Sequence, residues 1–304
     1  MRHSAVAIIG AGSVGTTTAY ALIMRNLVPH IMLVDKNNKK CIGEVLDLTD
    51  ALPFSVASRI HAVTIKEARE ADIIIIAAGA RQEPGQDRAD LVKTNRTIVC
   101  SIMQDLKPLK TDTIIIVVTN PVDIMTRVVQ ASSGLPITQV FGSGTLLDTQ
   151  RLRSLLTKQL HIAEQSLHVN ILGEHGDAQF VAWSSASVAG VPLVKFAGLS
   201  RTQCAKLEDT VRQEVYRIIE CKGATFFGVG TCVAVLCETI LFDQKRVLPV
   251  SCYLEDLDVA LNMPAVLGRR GIQQIIKTPL NNEEQKKLET AAEKLKSLYK
   301  MHCQ

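Results

Sequence analysis

Ala5-Val-Ala-Ile-Ile9-Gly10-Ala-Gly12-Ser13-Val14-Gly15 decides how the rest of this chain is read. Five apolar residues without polar alternation predict a strand buried on both faces, and the glycines after it predict a turn into a helix over Thr16–Arg25. Each glycine has its own task. Gly10 permits the tight turn, Gly12 lets main chain approach a pyrophosphate, and Gly15 lets helix pack on strand. The helix N-terminus then presents N–H groups to phosphate.

By itself GxGxxG is only a glycine turn. Here Asp35 ends the next apolar run, Ile31–Val34, twenty residues after Gly15, where a carboxylate can hold both adenosine ribose hydroxyls. That context predicts a dinucleotide site built from Gly10, Gly12, Ser13, Val14, Gly15 and Asp35, joined at later strand ends by Gly79 and Asn120. An anionic Asp35 repels a 2′-phosphate, so NAD is expected rather than NADP, with Lys36 next door as the counter-argument.

Further apolar runs follow at Ile73–Ala78, Ile114–Thr119 and Gln139–Phe141, with helical patterns at Ile42–Leu52, Leu91–Leu106 and Val122–Ala131. The alternation predicts an α/β unit, a Rossmann-type doubly wound parallel sheet. From about Gly144 the texture changes. Helices are expected at Leu146–Gln159, Arg201–Cys221 and Ala224–Phe242, and antiparallel strands at Arg246–Tyr253, Asp258–Met263 and Gly271–Lys277. A closing helix over Asn281–Lys300 carries Leu288, Ala292, Leu295 and Tyr299 on one face. The expected division is a cofactor domain over 1–143 and an α+β substrate domain over 144–304, with a cleft between them.

At 47% hydrophobic and 21% charged, with a net charge of +4 and scattered basic residues, the chain has a soluble globular balance and no nucleic-acid groove. Its eight cysteines form no CxxC pair, which argues against a zinc site or disulfide framework and for a reducing compartment. The first strand begins at Ala5, leaving no room for a signal peptide, and no apolar run is long enough to span a bilayer. The expected location is the cytoplasm.

Chemistry is expected at Leu172-Gly-Glu-His175-Gly-Asp177, which follows the apolar run Leu167–Leu172. A histidine between glycines at a strand end is exposed on a turn and suited to moving a proton near neutral pH. Asp148 and Arg151 lie three apart on a helix and share a face, either as a surface ion pair or as an acid serving a histidine beside an arginine serving a carboxylate. Arg153 must point elsewhere. The polar segment Ala78-Gly-Ala-Arg-Gln82-Glu-Pro-Gly-Gln-Asp-Arg88 leaves a buried strand as a lid would. Asn120, in Thr119-Asn-Pro-Val-Asp123, either faces the same crevice or caps the next helix.

These motifs, with Lys222-Gly-Ala-Thr225, resemble the lactate/malate dehydrogenase family over essentially the whole length. The resemblance implies that His175 is the acid/base, Asp148 its orienting partner, Arg151 the carboxylate clamp and Arg88 the lid arginine polarising the substrate carbonyl. It assigns Asn120 and Thr225 to the remaining substrate-pocket positions. It also makes Gln82 the residue that separates the two substrate classes: a neutral amide lies over pyruvate's methyl group, whereas the second carboxylate of oxaloacetate would be left unpaired. The activity implied is reversible NADH-dependent reduction of pyruvate to L-lactate, with no metal required.

Arg153 and His168 match positions that bind fructose 1,6-bisphosphate in allosteric members, although non-allosteric members carry them too. A homo-oligomer is implied, a tetramer rather than a dimer. The chain departs from the family in having no arm ahead of the first strand and in a shortened corner at Tyr253–Asp258 that lacks Gly-x-Tyr-Gly. The alternatives are a malate or broad 2-hydroxyacid dehydrogenase, and an NAD-binding protein without catalysis.

Overall fold

Short Ile- and Val-rich runs become the centre of a sheet because nothing along them can face water. A computed structural model describes residues 4–55, 58–81 and 88–303, with Arg88 given through its main chain alone. Gln82 lies outside the described residues.

The first half contains β1 (Ala5–Ile9), α1 (Ser13–Met24), β2 (His30–Val34), α2 (Asn38–Asp50), β3 (Arg59–Ala62), α3 (Ile65–Ala68), β4 (Ile73–Ile76), α4 (Arg88–Leu106), β5 (Ile114–Val117), α5 (Val122–Ser133) and β6 (Val140–Gly142). The second half opens with α6 (Leu146–Leu160), β7 (Leu167–His168), β8 (Ile171–Gly173), β9 (Gln179–Val181), β10 (Ser187–Val188), β11 (Val191–Pro192) and α7 (Leu193–Phe196). It continues with α8 (Arg201–Lys222), α9 (Phe227–Leu241), β12 (Arg246–Leu254), β13 (Val259–Gly268), β14 (Gly271–Ile275) and α10 (Asn282–Cys303).

Strand order in the main sheet is β3-β2-β1-β4-β5-β6-β12-β13-β8-β9, with β14 beside β13. The pairs from β3 to β6 are parallel, in the order of a doubly wound nucleotide-binding sheet, and those beyond β6 are antiparallel. Strands β1, β4 and β5 are buried along their whole length. Each isoleucine in them contributes roughly 1.5–3 kcal/mol by leaving water. The sheet runs unbroken across the 143/144 position. A second apolar cluster, including Leu152, Leu156, Ile171, Val181 and Val211, forms under α6 and α8.

Several expectations are corrected. The run Leu167–Leu172 is two strands in different sheets, because β7 pairs with β10 while β8 joins β13 and β9. Between them the Val169 carbonyl accepts Arg153 Nε and Nη2 at 3.3 and 3.1 Å instead of a strand partner. Strand β3, Arg-Ile-His-Ala, carries no apolar run and is held by register with β2. Helix α9 starts at Phe227 rather than Ala224, because α8 ends on left-handed Gly223 (φ 81°) and the chain must turn first. The shortened corner is closed by Asp258 (φ 50°), whose carboxylate accepts the Tyr253 hydroxyl at 2.8 Å, with Arg127 4.5 Å from the Tyr253 ring centre.

All eight cysteines are free. No helix among the described residues is long and apolar enough to cross a membrane.

Candidate active site

Parallel strands β1, β4, β5 and β6 deliver four loops to one edge of the sheet. Gly10 follows β1, Gly79 follows β4, Asn120 follows β5, and Ser143–Thr145 lead from β6 into α6. Ligands of doubly wound sheets bind outside the carboxyl ends of the strands.

The glycine turn separates packing from access. A Cβ on Gly15 would lie 1.9 Å from the Gly10 carbonyl oxygen, and one on Gly10, at φ +111°, would lie 2.7 Å from Ala78 N. A Cβ on Gly12 would meet nothing within 4 Å. The first two glycines are demanded by the fold, while the third leaves an open face. Helix α1 begins there without a side-chain cap and without an acidic residue in its first turn, so its N-terminal N–H groups and dipole are available to an anion.

Ser13 opens α1, and its hydroxyl accepts Arg81 Nη2 at 3.1 Å, placing a guanidinium at the same turn. Val14 is half-buried against the core. Asp35 accepts Ala11 N–H at 2.8 Å and Asn37 N–H at 2.9 Å, one on each oxygen, leaving acceptor positions for hydroxyl groups. These residues fit a dinucleotide: an open, uncapped helix start for the pyrophosphate and a carboxylate at the neighbouring strand end.

Gly79 is exposed, and a Cβ there would come within 2.6 Å of the Thr119 methyl. Asn95 ties this loop to the next. It is fully buried, accepts Ala80 N–H at 2.7 Å, and donates to the Ala80 and Asn120 carbonyls at 3.2 and 2.7 Å. The capping alternative for Asn120 does not hold, since Pro121 is the residue before α5 and no side chain caps that helix. Asn120 itself is exposed.

His175 sits between Gly173 (φ +88°) and Gly176 (φ +137°), two backbone conformations that turn β8 sharply outward. Its Nδ1 lies 2.9 Å from Asp148 Oδ2, and Arg151 Nη1 lies 3.1 Å from Asp148 Oδ1. Asp148 is buried at 5% side-chain exposure, Arg151 is mostly covered at 9%, and His175 keeps 29%. The two readings of the helical pair are therefore joined, because one carboxylate serves both cations. Arg151 Nε also stands 3.8 Å from Glu214 Oε1 on α8.

Burial alone would push the His175 imidazole down. The Asp148 charge and hydrogen bond outweigh it, aided by Asp123 and opposed by Arg151, and hold the ring above its ordinary value. Burial pushes Asp148 up, but His175 and Arg151 hold its carboxyl below the usual range. The Nδ1 contact leaves Nε2 as the nitrogen that faces away from Asp148.

Thr225 lies half-buried in the connection from α8 to α9. Arg88 begins α4, and its side chain, like Gln82, lies outside what is described. Arg153 and His168 belong to a different part of the fold: Arg153 is bound to the Val169 carbonyl, and His168 is exposed on β7.

Three buried polar residues under the His175 turn were missed. Asp123 accepts His175 N–H at 2.8 Å, and Asn262 Nδ2 donates to Asp123 at 3.0 Å and to the Gly173 carbonyl at 2.8 Å. Glu174, fully buried, pairs with Lys294 of α10 at 2.9 Å. The available signal was a polar residue in an apolar setting: Asn262 in Val259-Ala-Leu-Asn-Met-Pro-Ala, and Asn95 on the Leu91, Val92, Val99 face of α4.

The chain matches the family described as lactate/malate dehydrogenase, NAD binding domain, over residues 4–142, and the lactate/malate dehydrogenase, alpha/beta C-terminal domain over 145–304. It is 44% identical to L-lactate dehydrogenase A of Rhizopus oryzae over 296 residues, covering 97% of this chain and 92% of that protein. It is 38% identical to L-lactate dehydrogenase of Pediococcus acidilactici over 303 residues, covering 97% and 94%. Among solved structures, a lactate dehydrogenase from a Medee basin deep-sea metagenome library superposes with a TM-score of 0.96 at 33% identity, with both chains fully covered. The minor L-lactate dehydrogenase of Enterococcus mundtii gives 0.94 at 35%, covering 98% of each. From its glycine turn to its closing helix, the chain belongs to the lactate/malate dehydrogenase family.

Proposed function

We propose that this chain is an NAD-dependent L-lactate dehydrogenase, with residues 1–143 binding the cofactor and 144–304 supplying most of the acid/base and substrate residues. The observation that carries the reading is the buried Asp148 carboxylate, shared by His175 and Arg151. NAD, when bound, carries the hydride at its nicotinamide. Gly10, Gly12, Ser13, Val14, Gly15, Asp35, Gly79 and Asn120 would hold it, with the Arg81 guanidinium beside the same turn.

Protonated His175 donates from Nε2 to the oxygen of the substrate carbonyl as negative charge grows there, and takes the proton back in the reverse direction. Asp148 fixes the tautomer and stabilises the imidazolium. Arg151 grips the substrate carboxylate with paired charged hydrogen bonds, each worth about 1.5–3 kcal/mol. Arg88, brought in with the lid, polarises the carbonyl in the shut site. Asn120 and Thr225 complete the pocket. Gln82 selects pyruvate over oxaloacetate, because a second carboxylate would find no partner there.

An NADH oxidation assay with pyruvate, oxaloacetate and longer 2-oxo acids tests the reading. Turnover should be fastest with pyruvate, and Gln82→Arg should move activity towards oxaloacetate. Cofactor binding without turnover of any of these acids would make the chain a binding protein instead. A preference for oxaloacetate in the unaltered protein would make it a malate enzyme.

Regulation by fructose 1,6-bisphosphate at Arg153 and His168 is a second reading. Burial lowers the Arg153 guanidinium, the Glu164 charge acts in the opposite direction and Arg246 adds to the lowering; the support is that second positive charge acting on Arg153, beside which Glu164 already stands as a carboxylate. An unchanged pyruvate response in the presence of the sugar bisphosphate rejects it. Homo-oligomer formation, with a tetramer favoured, is supported by the exposed apolar side chains Ile42, Leu46 and Phe54 around α2. Sedimentation measures it directly. A cytoplasmic location follows from the same reading.

A further inference from the structure

We propose that Glu214 is a specificity-determining residue, an anion on α8 that weakens the hold of Arg151 on a substrate carboxylate and acts hardest against acids carrying two. The inference deepens the reading of Arg151 as the carboxylate clamp and rests on it.

The position stands out along α8. Cys204, Leu207, Val211 and Ile218 recur at the spacing of one helical face, and the first three pack in the apolar cluster where α8 meets α6. Glu214 falls on that face between Val211 and Ile218, where an apolar residue would continue the stripe. Across from it stands Arg151 of α6, with 3.8 Å between Nε and Glu214 Oε1. Two residues further on, the Tyr216 hydroxyl donates to Asp177 Oδ1 at 3.2 Å, so the same stretch of helix also touches the His175 turn.

The contact acts through charge, not through attachment. At 3.8 Å the Glu214 oxygen lies beyond hydrogen-bond reach of Nε, and its side chain keeps 39% exposure. Arg151 is already fixed within its own helix by Asp148, at 3.1 Å between Nη1 and Oδ1. Removing the Glu214 charge therefore leaves the guanidinium in place and changes only what stands beside it. With His175 protonated, the described cluster holds two cations, His175 and Arg151, and two anions, Asp148 and Glu214. Asp148 is committed to both cations, which leaves Glu214 as the anion that opposes an arriving carboxylate. A monoanion such as pyruvate meets that opposition once, and a dianion such as oxaloacetate meets it twice. Water screens a side chain this open, so the effect is moderate.

The test is NADH-dependent reduction of pyruvate and of oxaloacetate by the full chain, comparing the unaltered protein with Glu214→Gln and Glu214→Asp, with melting temperatures measured alongside to establish that each is folded. In Glu214→Gln the KM for pyruvate should fall about threefold with kcat nearly unchanged, while kcat/KM for oxaloacetate rises about tenfold. Raising KCl to about 0.5 M should shrink both changes, because added salt screens the charge. Glu214→Asp keeps the charge and should stay close to the unaltered protein. A raised KM for pyruvate in Glu214→Gln would make Glu214 a support for Arg151 and overturn the proposal. An unchanged ratio between the two acids, or a Glu214→Asp variant that behaves as Glu214→Gln does, would overturn it equally.

If the unaltered protein reduces neither acid, the enzymatic reading has failed, and calorimetric titration with pyruvate and with oxaloacetate in the presence of NADH judges Glu214 on binding alone. Glu214→Gln should then tighten oxaloacetate more than pyruvate. No gain for either acid, or no binding of either, sinks the assignment of Glu214.

Discussion

Asn262 on β13 and Asp123 at the start of α5 meet at 3.0 Å across 139 residues of chain. This buried bond joins the antiparallel part of the sheet to the helix that follows β5, directly beneath the His175 turn. The floor of the site is therefore made from both halves of the molecule, and the precision of His175 depends on their closure.

Asn262→Ala tests that closure. It removes the partner of Asp123, the Gly173 carbonyl and Thr145 N–H together. Each buried group left unpaired costs about 1–3 kcal/mol, so a loss of roughly 3–5 kcal/mol is expected in urea unfolding. Stability within about 1 kcal/mol of the unaltered protein would mean that these bonds contribute little.

Asp148→Asn should leave the fold nearly intact and damage the chemistry. Without the carboxylate, burial regains control of His175 and the ring drops from its raised value. A group raised in the folded state is charged up to its folded pKa, so pyruvate reduction fades as pH rises through that value. In the variant the fading should begin at lower pH, with kcat down by about 10²-fold or more. Steady-state rates across pH 5–9 measure both.

The glycine turn separates two kinds of loss. Gly15→Ala forces a Cβ to within 1.9 Å of the Gly10 carbonyl and should destabilise the domain by roughly 3 kcal/mol or more. Gly12→Ala places its methyl in open space, so the melting temperature should hold while NADH affinity falls. Calorimetry and NADH fluorescence titration distinguish the pair; equal melting losses would contradict the assignment.

Arg151→Lys keeps the charge and loses the planar fork. A single ammonium cannot replace two parallel hydrogen bonds, so kcat/KM for pyruvate should fall about 10²-fold or more. Added guanidinium should restore part of it. A variant with unchanged KM and kcat would place the substrate carboxylate elsewhere.

Stability should also respond to Asp123. Its folded pKa of about 6 lies above the ordinary carboxylate value of 3.8, so the ionised form opposes folding at neutral pH by about 3 kcal/mol. That cost is relieved as pH falls from about 6 towards 4. Asp148, held low, works in reverse and loses its contribution only as pH falls through its depressed value. Urea midpoints at pH 7 and pH 5 should therefore differ less in Asp123→Asn than in the unaltered protein.

Much of this architecture was readable from local spacing. Apolar runs such as Ile73–Ile76 declare a strand buried on both faces, and Gly10, Gly12, Gly15 and Asp35 declare the turn and its partner strand, because both signals operate within a few residues. The Asp148–Arg151 spacing likewise placed two groups on one helical face. Signals failed where a partner decided the outcome. Strand β3 exists through register with β2, and Leu167–Leu172 divides because two sheets claim its ends.

By itself, then, the sequence determined a doubly wound cofactor half and named the candidate side chains for its chemistry. Tertiary structure alone decided that one carboxylate would hold both His175 and Arg151, and that Asp123 and Asn262 would support the same turn. The reason is physical. Turn geometry and hydrophobic period act between neighbours along the chain, whereas a buried polar group must find whichever partner the closed fold brings to it, and those partners lie 27, 52 and 139 residues away.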